Sequence, residues 1–359
     1  MRLVTASTAQ VPGLYCPIAR FGIEPYDTVS ETCAWIERFG LCESRRREAY
    51  AEAGAWFAID SFPFADRLGQ RLMARWSVVT FIFDDDYCEP LCSSVNPSKR
   101  GRLSFDNMAN CLIDVLDHPN TPPMISAPLT RAMADFAADV VGHYPREVLT
   151  LIADGWRRFV RGQRWQIALR GKVPSLSDFF EGRIDNVAIW LTTVLAAAGM
   201  GLDLADESWR NPAVQAMIYS GWSLPMIYNE WASYDKELDA GTSNINLVDV
   251  VSHQFAIGLD DAVIETARLH DRIMTVFLAL TEKCEAQNEL LARWAQFMRA
   301  AVIGNIIYHA RISRYGWPPL GQLVLLDCPC LDIGTIAIPE TIRWWWREAG
   351  LLPVGCESS

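Results

Sequence analysis

Trp76-Ser77-Val78-Val79-Thr80-Phe81-Ile82-Phe83-Asp84-Asp85-Asp86 is the stretch on which the fold turns. Its β-branched and aromatic residues have the local preference of a strand, which would present the carboxylates at its end. A helix would instead carry the apolar run into a core and leave the acids pointing at it. The two readings belong to different fold classes, and the rest of the chain chooses between them.

Outward from that stretch, apolar residues recur at helical spacing. Ser30 to Phe39 shows the pattern and Gly40 closes it. Similar patterns cover about 44–59, 66–83, 103–117, 126–142, 146–170, 176–200, 211–239, 245–256, 259–284 and 287–313. Pro90 to Arg100, Pro119 to Pro123 and Gly171 to Ser175 punctuate them as loops. No long alternating pattern recurs and no repeat is visible. The chain therefore reads as all-α, one domain over 1–359. Residues 1–25, with Pro12, Gly13, Pro17, Gly22 and Pro25, form an irregular lead-in. Residues 320–359 form an extension whose Pro339 to Glu348 segment, with Trp344, Trp345 and Trp346, reads as a short amphipathic helix. That helix packs on the domain or mediates a homodimer.

Composition excludes several classes. Acidic residues outnumber basic ones 43 to 32, for a net charge of −11. A nucleic-acid binder should show a basic footprint, so none is expected as a partner. The local run Arg157, Arg158, Arg161, Arg164 and Arg170 reads as a solvated helix face. The longest apolar stretch, Val187 to Leu202, falls short of a membrane span, and no membrane partner is expected. Met1 to Tyr15 lacks the pattern of a secretory signal, which with ten irregularly spaced cysteines points to the cytoplasm and to cysteines used as small core residues. Fourteen tryptophans suit a large apolar cavity or a large helical core equally.

Two clusters carry chemistry. In the first, Asp84, Asp85, Asp86 and Glu89, a helix would put Asp85 and Glu89 four apart on one face. Adjacent carboxylates repel, and burial raises their pKa unless a cation compensates. In the second, Asn229, Ser233 and Glu237 recur at every fourth position. At about 100° per residue they drift by about 40° per step, so an amide, a hydroxyl and a carboxylate share one stripe. All three suit hard cations, and Lys236 stands beside them. Two oxygen-rich clusters facing each other would let magnesium neutralise a diphosphate leaving group.

The pair resembles the aspartate-rich and Asn-Ser-Glu motifs of microbial class I terpene cyclases, which are α-helical barrels binding three magnesium ions. Asp84 matches the leading aspartate, with Asp85, Asp86 and Glu89 completing the motif; Asn229, Ser233 and Glu237 match the second motif, and Lys236 its basic position. Asn305 to Tyr315 is similar to the terminal motif in which Arg314 and Tyr315 bind the diphosphate. Arg183, 46 residues before Asn229, stands where the family places its diphosphate-sensing arginine. The likeness covers roughly residues 20–320. It departs at Asn186 and Val187, where small linker and effector residues are common, and at Tyr308, where Trp is.

The resemblance implies a terpene synthase. Asp84, Asp85, Glu89, Asn229, Ser233 and Glu237 would hold Mg2+, and Arg183, Lys236, Arg314 and Tyr315 the diphosphate. The substrate would be an isoprenoid diphosphate, farnesyl before geranylgeranyl. Phe57, Phe81, Trp190, Tyr219 and Tyr308 are pocket candidates, since aromatic faces attract carbocations by roughly 0.5–2 kcal/mol each. The nearest rival is a chain-elongating prenyltransferase of the same fold, which needs a second aspartate-rich cluster. A haloacid-dehalogenase-type phosphatase would use Asp84 and Asp86 after a strand. A non-catalytic helical protein is the third alternative.

Overall fold

Asp66 settles the first question. Its Oδ1 accepts the Gly69 N–H at 2.6 Å, and the helix it caps runs without a break from Arg67 to Phe83. Strand preference at Val78, Val79 and Ile82 is overridden because all three are buried, and tertiary packing outweighs propensity differences of a few tenths of a kcal/mol. The phosphatase reading required a strand here and is excluded. Replacing Asp66 with Ala is expected to cost about 1 kcal/mol, seen as a lower urea midpoint at unchanged slope.

The computed structural model describes residues 2–21, 27–93, 99–204, 207–312, 323–329 and 338–352. Its helices are α1 (Thr28–Phe39), α2 (Ser44–Ser61), α3 (Arg67–Phe83), α4 (Glu89–Ser93), α5 (Lys99–Asp117), α6 (Pro128–His143), α7 (Arg146–Ala168), α8 (Leu176–Asn186) and α9 (Ile189–Gly199). They continue as α10 (Pro212–Ala240), α11 (Leu247–Phe255), α12 (Leu259–Glu285), α13 (Glu289–Arg311) and α14 (Arg343–Glu348). Among the described residues the only strands are β1 (Leu14–Tyr15) and β2 (Leu325–Leu326), a two-residue parallel pair. The fold is all-α, as the periodicity predicts. No described helix is long and apolar enough to cross a membrane.

Contacts group the described residues of 22–170 and 185–205 into one compact unit, and those of 1–21, 171–184 and 206–359 into another. In the first, α3 packs against α1, α2, α6 and α9, and α7 against α5, α6 and α9. Its centre is aromatic. Trp76 meets Trp156 edge-on at 5.2 Å and Phe136 at 5.9 Å, while Phe83 meets Trp156 at 5.2 Å and Phe105 at 5.3 Å. Each such buried phenylalanine contributes roughly 1.5–3 kcal/mol. The basic run on α7 is paired: Arg157 with Asp117 and Asp154, Arg161 with Asp185, Arg164 with Asp106.

The single helix expected over 176–200 is two. Ala188 adopts a left-handed φ of 57° and separates α8 from α9. The cause is tertiary: Asn186 donates to Gln166 Oε1 at 2.7 Å, and Gln163 donates to the Asn186 carbonyl at 3.3 Å. These bonds from α7 hold the chain where the helix would otherwise continue. Two smaller differences lie nearby. Pro90, read as a loop, falls in α4, and α5 begins at Lys99 rather than about 103.

In the second unit, α10 packs against α12 and α13, which also pack against each other. Trp231 on α10 is buried and donates to Thr266 Oγ1 at 2.9 Å. The lead-in is irregular but anchored: Thr5 and Ala6 donate to Asp235, and Ser7, Thr8 and Ala9 to Asp260. The hydrogen bonds from Thr8 and Ser7 hold the Asp260 carboxyl down to about 2. The C-terminal helix packs within its own unit. Trp345 meets Phe180 at 6.3 Å, Trp344 meets Tyr219 at 6.1 Å, and Lys283 donates to the Glu348 carbonyl at 2.6 Å.

Candidate functional site

The first acidic cluster sits on a change of helical pitch. Residues Asp84–Cys88 form a single π turn between α3 and α4, closed by the Glu89 N–H bonding to the Asp84 carbonyl five residues back. In a regular α-helix, Asp84 and Glu89 would lie about 140° apart around the axis. The wider turn brings residue i+5 back over residue i, and such turns are frequent at functional sites. Oxygens of Asp84, Asp85 and Glu89 consequently lie within 4.8 Å of one another, each residue half-buried. Asp86 leaves the group. It is exposed and pairs with Arg46 at 3.0 Å.

Two residues of α2 support this cluster, and no motif or spacing signals either. Tyr50 donates its hydroxyl to Asp85 Oδ2 at 2.6 Å, and Arg46 reaches the same oxygen at 3.4 Å. They are one turn apart on α2, but spacing alone does not reveal which helix they would face. Behind the cluster, Cys88 and Cys92 are buried with their sulfurs 3.9 Å apart. The neighbouring thiol, burial and Asp84 push the Cys88 thiol well up.

The second cluster lies on α10 and is wired into its unit. Arg183 of α8 donates to Asn229 Oδ1 at 3.2 Å and pairs with Glu230 Oε1 at 2.7 Å. Glu230 is 1% exposed, and its other oxygen accepts the Leu247 N–H at 3.1 Å. A buried carboxylate needs this degree of pairing, because removing one partner of such a pair costs several kcal/mol. Ser233 Oγ donates to the Asn229 carbonyl at 2.9 Å. Asn246 donates to the Glu230 carbonyl at 2.8 Å and to Glu237 Oε2 at 3.0 Å.

Charge at this cluster is unbalanced. Desolvation and the nearby Glu230 carboxylate push Glu237 up to about 7, against the opposing pull of Arg183, Ser233 and Asn246. Burial and a like charge both disfavour the ionised carboxylate, and an opposite charge nearby would favour it. The oxygen-only donor sets of both clusters suit a hard divalent ion. His309, buried on α13, contacts Asn229 Nδ2 through Nε2 at 3.1 Å and the Asn305 carbonyl through Nδ1 at 2.9 Å. Burial lowers its pKa to about 4.

The remaining site candidates divide. Lys236 is exposed on α10. Arg314 and Tyr315 lie outside the described residues. Phe57 packs edge-on to Phe62 at 5.5 Å, and Trp190 lies under the Arg158 guanidinium at 4.5 Å. Tyr308 is buried beside His309. Phe81 and Tyr219 are half-buried. Glu230 stood inside the motif read from the sequence without a role; Asn246 and His309 were not singled out.

A family model described as terpene synthase family 2, C-terminal metal binding, matches residues 75–275. That span runs from α3 into α12 and contains both clusters. The chain belongs to this family, and is a microbial class I terpene cyclase of a metal-binding family. Among curated relatives it is similar to 4-epi-cubebol synthase ((2E,6E)-farnesyl diphosphate cyclizing) of Streptosporangium roseum, 24% identical over 85% of this chain and 92% of that one. It is also similar to diterpene cyclase DtcycB of a Streptomyces species, 26% identical over 94% of this chain and 97% of that protein. A variant of the SVS_A2 protein from ancestral sequence reconstruction shares the fold, with a TM-score of 0.81 at 23% identity, covering 95% of this chain and all of that one.

Proposed function

We propose that this cyclase ionises an allylic isoprenoid diphosphate in the presence of magnesium and closes the cation into a ring, with farnesyl diphosphate preferred over geranylgeranyl diphosphate. The observation that carries the metal reading is the convergence of Asp84, Asp85 and Glu89 oxygens produced by the π turn. Relatives named for farnesyl diphosphate cyclisation and for diterpene cyclisation, at similar identity, support the two substrate lengths.

In this reading Asp84, Asp85 and Glu89 form one ligand set and Asn229, Ser233 and Glu237 the other, together serving three magnesium ions. The metal supplies Lewis acidity that stabilises charge on the departing diphosphate oxygens. The chain's own residues do the rest. Arg183, already turned to the Asn229 oxygen, binds the diphosphate along with Lys236, Arg314 and Tyr315, and these cations meet negative charge as it develops. The C–O bond breaks heterolytically with the electron pair leaving on the diphosphate. The allylic cation is then attacked by a double bond further along the same chain, and loss of a proton yields the hydrocarbon. Tyr50 fixes the rotamer of Asp85 by its hydroxyl, which keeps one ligand oxygen oriented before substrate arrives. Apolar and aromatic walls, for which Phe57, Phe81, Trp190, Tyr219 and Tyr308 are the candidates, exclude water that would otherwise trap the cation as an alcohol.

Feeding the 10-, 15- and 20-carbon allylic diphosphates in turn, with magnesium, tests the proposal by gas chromatography. A cyclic hydrocarbon from farnesyl diphosphate, absent when EDTA replaces magnesium, is the expected result. Longer diphosphates formed on adding isopentenyl diphosphate would make the protein a chain-elongating transferase instead.

A further inference from the structure

We propose that Asn246 is a positioning residue: it holds the Glu237 carboxylate in the orientation from which it ligates a metal ion. The inference rests on the reading above that Glu237 is a ligand. It gives the start of α11 a part in the site beyond capping its own helix.

Asn246 precedes α11 as its N-cap, and its side-chain oxygen accepts the Val248 N–H at 3.0 Å. Asn, Asp and Ser cap a helix about equally well, so the cap by itself does not call for an amide. The other end of the side chain does. Nδ2 donates to the Glu230 carbonyl at 2.8 Å and to Glu237 Oε2 at 3.0 Å. A side-chain amide has two N–H donors and an acceptor oxygen, and all of these are in use here. An ionised Asp would only accept, and Ser has a single O–H to give.

Backbone on both sides dictates how the amide is turned. A main-chain N–H can only donate and a main-chain carbonyl can only accept. Val248 therefore fixes the oxygen end and Glu230 the nitrogen end, whatever the state of any carboxylate. The second Nδ2 hydrogen is then directed at Glu237. Asn246 is itself held. It is fully buried, its N–H donates to the Ser243 carbonyl at 2.7 Å, and its carbonyl accepts the Val250 N–H at 3.0 Å. The next residue adds a second stitch, since the Leu247 N–H donates to Glu230 Oε2 at 3.1 Å. The start of α11 is thus tied to α10 at residues 230 and 237, on either side of Ser233. Fixing a glutamate side chain costs rotamer freedom, and a ligand oriented before the ion arrives has already met that cost. Partners that orient metal ligands typically change affinity by about 10- to 100-fold when removed.

Asn246→Ser separates capping from positioning. It keeps an oxygen for the Val248 N–H and removes the nitrogen that reaches Glu237. Mn2+ binding by the full chain, titrated by electron paramagnetic resonance with inorganic diphosphate present, is the readout. The expected result is about a 10-fold or greater loss of affinity, with no further loss when the same change is made on Glu237→Ala. Asn211→Ala is the control for loss of a cap alone, because Asn211 accepts the Ala213 N–H at 2.9 Å at the far end of α10. It should lower the melting midpoint and leave Mn2+ affinity at the parental value. Parental affinity in Asn246→Ser, a loss that persists on Glu237→Ala, or an equal loss in Asn211→Ala would each overturn the inference. The ligand reading is tested separately. If Glu237→Ala alone binds Mn2+ like the parent, Glu237 is no ligand, and that reading falls first and takes the inference with it. Should Asn246→Ser lack the parental circular dichroism spectrum, Asn246→Thr replaces it. Thr also caps through its hydroxyl and is closer to Asn in volume, and the same outcomes decide.

Discussion

Asn229→Ala combined with Ser233→Ala is expected to reduce product formation at least about a thousandfold while leaving the protein folded. Two of the three oxygens on the α10 stripe disappear, and metal stabilisation of the leaving group is worth several kcal/mol. A thousandfold loss corresponds to about 4 kcal/mol of barrier. Stability should change far less. Ser233 Oγ bonds back to the Asn229 carbonyl and to Glu237, both on its own helix, and alanine is the better helix former by a few tenths of a kcal/mol. Removing the Asn229 amide takes one donor from His309, at about 1 kcal/mol, while Arg183 keeps its pairing with Glu230. Product quantified by gas chromatography, beside a thermal melt followed by circular dichroism, checks both halves. Turnover at the parental rate with both side chains removed would rule out a ligand role for this stripe. Ser233→Thr, which keeps the hydroxyl, should retain most activity.

The two clusters differ in how legible they were. Asn229, Ser233 and Glu237 could be read as a stripe because helical spacing carries through Pro212–Ala240 without interruption in pitch. For the first cluster, the choice of Asp84, Asp85 and Glu89 over Asp86 came from the family resemblance and not from spacing, because a π turn is invisible to a pattern that assumes 3.6 residues per turn. That single turn selects Asp84 with Glu89 and turns Asp86 out to Arg46. Helix identities were legible wherever the amphipathic pattern was long. They failed at Val187-Ala188, where contacts from α7, not the local sequence, interrupt the helix. The supporting residues Tyr50, Asn246 and His309 come from helices distant in sequence, and only their tertiary placement gives them a role.

The same interruption carries the largest stability prediction, at Gly162. A Cβ added there would stand 2.2 Å from the Asn186 nitrogen and 2.4 Å from its Cα. Both are backbone atoms, so no side-chain rotation can make room, and α7 or the Asp185–Asn186 segment must move. Gly155, two turns earlier on α7, meets the Leu191 Cα at 2.8 Å in the same way, so α7 lies directly on the backbone that follows it at two points. Forcing a methyl into packed side chains costs about 1–3 kcal/mol; against backbone on both sides, Gly162→Ala should reach or exceed about 3 kcal/mol. At roughly 2–4 °C per kcal/mol, the melting midpoint should fall by about 6–12 °C. The movement would also loosen the Asn186–Gln166 bond at the end of α8, three residues beyond Arg183, so activity at low temperature should drop even in the folded fraction. Gly142→Ala is the control, since nothing lies within 4 Å of its added Cβ and alanine favours the helix by about 1 kcal/mol. If both variants melt alike, α7 is not pressed against the 185–191 backbone, and the break between α8 and α9 needs another cause.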